Sequence, residues 1–168
     1  MNDIMEKKGP KIELLFDAIR DPYDIANMLQ LALALNAILY FTGQSISLEN
    51  KKIKGKLRSW GAPCLPKVIR NPSYEDQICS LKKDGRYLIG TSPHAKENFL
   101  DVDVTQCKPV VVFGTETTGL VERKQKCLDK VVKLPMSSNL RFMTLSVVVP
   151  PIAYELYRQL CNQRRERE

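Results

Sequence analysis

Two stretches of this 168-residue chain bring together residue types that bind ligands through main-chain and side-chain groups at once. The first, Phe113-Gly114-Thr115-Glu116-Thr117-Thr118-Gly119-Leu120, sets two glycines around three threonines and an acid, so backbone donors and a carboxylate lie within short reach of each other. It is not a G-x-G-x-x-G fingerprint, nor a phosphate-binding loop, because the Gly-Lys-Ser/Thr ending is missing. On residue chemistry alone, a plain turn leading into a helix cap serves equally well. The second stretch runs from Leu134-Pro135-Met136 through a polar segment to Phe142-Met143-Thr144-Leu145-Ser146. Here a strand ends, a loop able to wrap a small ligand with main-chain groups follows, and a helix opens.

Other reactive types point elsewhere. His94, the single histidine, sits in a Ser-Pro-His turn, where an ordinary exposed imidazole is expected rather than the partner of a nucleophilic thiol. Cys64, Cys79, Cys107, Cys127 and Cys161 are scattered without a C-x-x-C pair. No metal is therefore expected, and the thiols read as reduced, in a cytoplasmic setting. Lys51, Lys52, Lys54, Lys56 and Arg58 crowd next to Trp60, the only tryptophan, in a chain of formal net charge +7. Such a cluster attracts polyanions by releasing condensed counterions, which makes these five residues candidate contacts to a polyanion, an RNA on the resemblance described below. A solvated helix face is the competing reading. Trp60 can stack on a base or anchor a small apolar cluster.

Alternating strands and helices are needed to position these loops. Residues 12–19 read as a buried strand, and Asp21-Pro22 as a helix start with Asp as cap and Pro at the first helical position. Ile25, Met28, Leu29, Ala32 and Leu33 then form an amphipathic stripe. Residues 37–41 predict a second strand and 48–60 a lysine-rich helix. Val68-Ile69 is expected as a short apolar piece within a loop. A helix over 74–83 and a strand over 86–91 precede a turn-rich segment, 92–107. Residues 108–114 form a continuous apolar run, the mark of a strand buried on both faces. A helix over 121–129, a strand over 131–135 and a last helix from about 142 to 164, interrupted at Pro150-Pro151, complete the reading. The fold class is α/β, a mainly parallel sheet flanked by helices, with ligands expected at the carboxyl ends of its strands.

The order of these features, a strand followed by a D-P-x-x-I helix, then F-G-x-E-x-x-G-L, then L-P-M and a helix start nine residues on, resembles the SpoU (TrmH) family of SPOUT-class RNA methyltransferases over about residues 12–160. The resemblance implies a C-terminal trefoil knot, a homodimer, S-adenosylmethionine as cofactor, and methylation of ribose 2′-hydroxyls in tRNA or rRNA. It assigns Gly114, Thr115, Glu116, Gly119, Leu134, Met136 and Met143 to the cofactor. It draws attention to Asp24, Gln30, Glu116, Arg141 and Thr144 as the catalytic set. The chain departs from the family pattern N-x-G-x-x-x-R, having Asp24, Ala26 and Gln30 there. It also departs from S-L-N-x-S, having Phe142, Met143, Thr144, Leu145 and Ser146. Gln30 carries no titratable proton and cannot act as a base. Asp24 reads either as a base near the ribose or as the acidic residue of the Asp21 cap. Arg141 is placed to supply a missing positive charge.

Composition bounds the rest. With 43% hydrophobic residues and a mean hydropathy of -0.26, the chain is expected to fold, and no apolar run approaches the ~18 residues of a membrane span. The charged start is not a secretory signal. The expected organisation is a lead over 1–11, one domain over 12–164 and a charged tail over 165–168. It leaves no room for an added RNA-binding domain. An apolar row of Ile152, Leu156 and Leu160 suggests a dimer interface of helices 24–36 and 152–163. Two other readings stand beside a methyltransferase with altered motifs. One is a catalytically lapsed RNA-binding dimer of the same fold, and the other an unrelated nucleotide-binding α/β protein.

Overall fold

A computed structural model describes residues 11–62, 64–115 and 118–167, with side chains as far as Gln163. In chain order the elements are β1 (Glu13–Asp17), α1 (Pro22–Leu35), β2 (Ile38–Thr42), α2 (Lys51–Ser59), β3 (Lys67–Asn71), α3 (Tyr74–Lys83), β4 (Tyr87–Thr91), β5 (Glu97–Asn98), β6 (Pro109–Phe113), α4 (Glu122–Gln125), β7 (Lys130–Lys133) and α5 (Leu145–Arg167). All strand pairs are parallel, in the order β3-β2-β1-β6-β4-β7-β5. Both faces of the sheet are covered. Alternation along each strand sends Leu14, Phe16, Leu39, Phe41, Val111 and Phe113 to a core shared with α1, α2 and α5. Leu15, Tyr40, Leu88, Val110 and Val112 face α3 and Leu120 on the other side. Phe16 stacks between Phe41 and Phe113, with ring centroids 5.6 and 5.2 Å away.

The start of α1 follows its local signals. Asp21 caps the helix, accepting from the Tyr23 and Asp24 amides at 2.7 and 3.0 Å, and Pro22 occupies the first helical position. Ala18, between β1 and this cap, holds a left-handed φ of 53°, and its amide donates to the Thr42 carbonyl at 2.9 Å. Holding a non-glycine residue there costs on the order of 1–2 kcal/mol, so the turn out of the central strand is enforced by its surroundings.

Several expectations change. Residues 67–71 form an edge strand instead of a loop, because their backbone pairs with all of β2 although Val68 and Ile69 are only half-buried. Arg70 secures this edge by donating to the Ser45 and Ile46 carbonyls. The helix expected over 121–129 is one turn, Glu122–Gln125. The chain must then descend to β7, and the Asp129 amide and carboxylate pair with the backbone of Leu88. Pro150 and Pro151 do not interrupt α5, which runs unbroken for 23 residues. The carbonyls of Ser146 and Val147 lose their intrahelical donors, and burial of Val149, Ile152, Ala153 and Leu156 around the prolines keeps the segment helical. The helix also continues through residues 165–167, which the sequence set apart as a tail. Residues 1–10 of the lead and residue 168 lie outside the described residues. Ile152, Leu156 and Leu160 are buried against the chain's own core, so this row is not free to meet a second copy. Among the described residues no helix is long and apolar enough to cross a membrane.

Candidate active site

The carboxyl ends of β4, β6 and β7 and the first turn of α1 enclose a cavity of about 720 Å³. Its floor is the loop after β6. Gly119 turns this loop with φ 63°, its amide donates to the Thr115 carbonyl at 2.9 Å, and the Thr115 hydroxyl accepts from the Thr118 amide at 3.1 Å. The returning backbone lies directly on Gly114. A Cβ at that residue would come within 2.0 Å of the Gly119 carbonyl carbon and 2.1 Å of the Leu120 nitrogen. Only glycine admits this contact, and the cavity wall there is main chain.

The opposite wall comes from Leu134 and Met136 after β7 and from residues 141–146 leading into α5. The Thr144 carbonyl accepts from the Val147 and Val148 amides, which opens α5, and its hydroxyl lies 3.3 Å from that of Ser146. Phe142 is 63% exposed at the mouth and does not join the core. Charge of both signs reaches the lining: Asp21 and Asp24 from α1, Lys133 from the end of β7, and Arg141.

Several candidate residues from the sequence thus meet. Gly114, Thr115, Gly119, Leu134, Met136, Met143, Asp24, Arg141 and Thr144 all line one cavity. Glu116 lies outside the described residues. Gln30 does not line the cavity; it is exposed, two turns along α1 from the residues that do. Lys51, Lys52, Lys54, Lys56 and Arg58 are exposed along α2. Sequence reasoning missed Thr91, Ser92, Pro93, Lys133 and Tyr23, and set His94 aside as an ordinary turn residue although it too lines the cavity. The only signal for 91–94 was their place at a strand's carboxyl end, because β4 joins the site by pairing with β6 and β7 on either side.

Two buried carboxylates brace the sheet. At the cavity end, Asp17 is buried on β1, accepts from the Thr42 hydroxyl at 2.9 Å and pairs with Lys124 of α4. The Lys124 ammonium also lies 4.7 Å from the Tyr74 ring centroid, and the Tyr74 hydroxyl donates to the Lys124 carbonyl at 3.2 Å. Burial, and then the charge of Asp17, hold the Tyr74 phenol far above its ordinary range. The exit of the glycine loop is thereby tied to both β1 and α3. At the far end, Glu13 takes Arg86 in a two-pronged pair at 2.9 and 3.0 Å and the Tyr40 hydroxyl at 3.0 Å. Burial pushes the Glu13 carboxyl up, but Arg86 and Tyr40 outweigh it and leave it below its usual 4.5.

The sequence profile of the SpoU rRNA Methylase family matches residues 11–153. A 23S rRNA (guanosine-2′-O-)-methyltransferase, RlmB, of Pseudomonas syringae pv. tomato is 21% identical over 166 residues, which are 98% of this chain and 66% of that protein. The chain spans 61% to 66% of the length of such relatives. A structure that gives insights into the 2′-OH methylation of C/U34 on tRNA superposes with a TM-score of 0.80 at 23% identity, covering 91% of this chain and 98% of the other. The SpoU methyltransferase AviRb from Streptomyces viridochromogenes, solved with AdoMet, superposes with a TM-score of 0.72 at 24% identity, covering 95% of this chain and 64% of the other.

Proposed function

The chain belongs to the SpoU rRNA methylase family, and on that premise we propose that it is an RNA ribose 2′-O-methyltransferase that uses S-adenosylmethionine and acts on tRNA or rRNA. The observation that carries this reading is the Gly114–Gly119 main-chain contact, which builds one wall of a cavity where the family's two loop motifs converge. The lining suits the cofactor. A nucleoside-sized ligand fits the volume, Leu134, Met136 and Met143 offer apolar walls, and the loop after β6 offers main-chain groups. Bound there, S-adenosylmethionine supplies a methyl group on a positively charged sulfur. We also propose that the two loops lining this cavity take part in the family's trefoil knot.

The chain's own residues divide the remaining work. Asp24 lines the cavity within the first turn of α1, where its carboxylate can take the proton of a ribose hydroxyl. Lys133 and Arg141 bring positive charge to the same lining and suit the phosphate beside that ribose. Thr144 and Ser146 can orient the hydroxyl. Glu116 keeps its role from the sequence alone, as a positioning carboxylate of the glycine loop. We also propose a homodimer, formed through the exposed face of α5 in place of the buried row. Val147, Pro151 and Tyr154 follow one another at i, i+4 and i+7, and Val147 and Tyr154 are each 54% exposed.

One observation favours a second reading, a catalytically lapsed RNA-binding dimer. The position of the family's arginine holds Gln30, which is exposed and outside the cavity lining. Methyl transfer from radiolabelled cofactor to total RNA decides between them. Label in alkali-resistant dinucleotides is expected, with Asp24→Asn reducing the rate by ~10²–10⁴. Tight S-adenosylhomocysteine binding and RNA binding without any transfer would establish the lapsed reading instead.

A further inference from the structure

The basic helix α2 is joined to the cavity by an aromatic side chain. Tyr23, on the first turn of α1, lines the cavity mouth and is 47% exposed. The ammonium groups of Lys52 and Lys56, one turn apart on α2, each lie 5.7 Å from the centre of its ring. Lys56 also lies 6.0 Å from the ring of Trp60, which ends α2 and is 36% exposed. Tyr23, the two lysines and Trp60 thus form a connected run of rings and ammonium groups that starts at the cavity. Buried Ile53 and Leu57 hold an adjoining face of α2 to the core, so the lysines are carried on a rigid element. Among the described residues neither Lys52 nor Lys56 makes an ion pair, whereas Lys54 is engaged by Glu49.

We propose that Tyr23, Lys52, Lys56 and Trp60 form a track for an unpaired stretch of RNA. A base next to the modified nucleotide stacks on Tyr23, the two ammonium groups hold the intervening phosphates, and the following base stacks on Trp60. The proposal rests on the reading of this chain as an RNA-modifying protein. Energies favour the exchange. A base stacked on an aromatic ring is held more strongly than an exposed ammonium over the same ring, and each displaced ammonium gains a phosphate. A duplex would not use the rings, because paired RNA is gripped through its phosphates and 2′-hydroxyls.

Trp60 is the only tryptophan, so its fluorescence reports the outer end of the track. The full chain is titrated with an unpaired RNA decamer and with the same sequence as a duplex, affinity being read independently from the anisotropy of labelled RNA. The decamer is expected to quench Trp60, and Tyr23→Ala and Trp60→Ala each to weaken its binding roughly tenfold or more. Tyr23→Phe, which keeps the ring, retains wild-type affinity and separates stacking from folding. Lys52→Gln with Lys56→Gln lowers the slope of log affinity against log salt by about 1.4. Unchanged affinity in Tyr23→Ala, no quenching by a bound decamer, or equal binding of the duplex overturns the track. If methyl transfer to RNA proceeds in spite of such a result, the track falls and the proposed activity stands. Binding of neither RNA together with no transfer overturns both. Track binding without transfer upholds the track on a lapsed enzyme.

Discussion

At Gly114 a single missing carbon atom decides whether the cavity exists. The atoms a Cβ would strike belong to the backbone of Gly119 and Leu120, so no rotamer change can relieve the clash. Gly114→Ala is therefore expected to cost about 1–3 kcal/mol of stability, as overpacking does. It should also weaken S-adenosylhomocysteine at least tenfold in calorimetry. Glu13 makes a different kind of residue-scale argument. Its carboxyl titrates below 4.5 in the fold, so the stabilisation from its charged form is complete above that value and is lost as pH falls through the depressed one. Glu13→Gln leaves Arg86 half-paired and is expected to cost about 3–5 kcal/mol at neutral pH. Denaturant melts taken at successively lower pH should show the variant and the wild type converging below pH 4.5.

At the scale of elements, α5 carries a cost that its neighbours offset. Pro150 and Pro151 each remove a ladder donor from inside the helix, yet Val149, Ile152, Ala153 and Leu156 around them are fully buried against α1 and the sheet. Tertiary packing, not local propensity, keeps this segment helical. Pro151 is exposed, so replacing it should remove the penalty without opening a hole. Pro151→Ala is expected to stabilise the protein by about 1–3 kcal/mol in thermal unfolding, somewhat reduced by the greater freedom of its unfolded chain. An unchanged or lower melting temperature would mean that the prolines shape the helix start in a way the unbroken ladder does not convey.

For the molecule as a whole, the outer side of α5 presents exposed apolar residues. Val147, Pro151 and Tyr154 share one exposed face of α5, and Leu140 and Phe142 in the segment before it are exposed as well. A contiguous apolar surface of this kind is what a self-complementary interface buries. Sedimentation at micromolar concentration is expected to give about twice the chain mass of 19.2 kDa. Val147→Glu with Tyr154→Glu should return it to the monomer while the far-ultraviolet spectrum stays unchanged. A wild-type monomer under those conditions would leave this face without the occupant proposed for it.

Short-range patterns are legible in the amino-acid sequence by itself. The Asp21-Pro22 helix start, the apolar run of β6 and the glycines of the loop after it depend on neighbours a few residues away, and the folded chain uses them as the sequence implies. The parallel α/β architecture follows from the alternation of such segments. Pairings between remote segments decided the rest. Residues 67–71 are a strand because β2 offers an edge, and His94 and Lys133 line the cavity because β4 is inserted between β6 and β7. Ile152, Leu156 and Leu160 have the same periodicity whether they meet a second copy or their own core. Only the position of α5 against α1 selects the core. Periodicity states which residues share a face, and the free energy of burying that face is settled by whatever the rest of the chain brings to it.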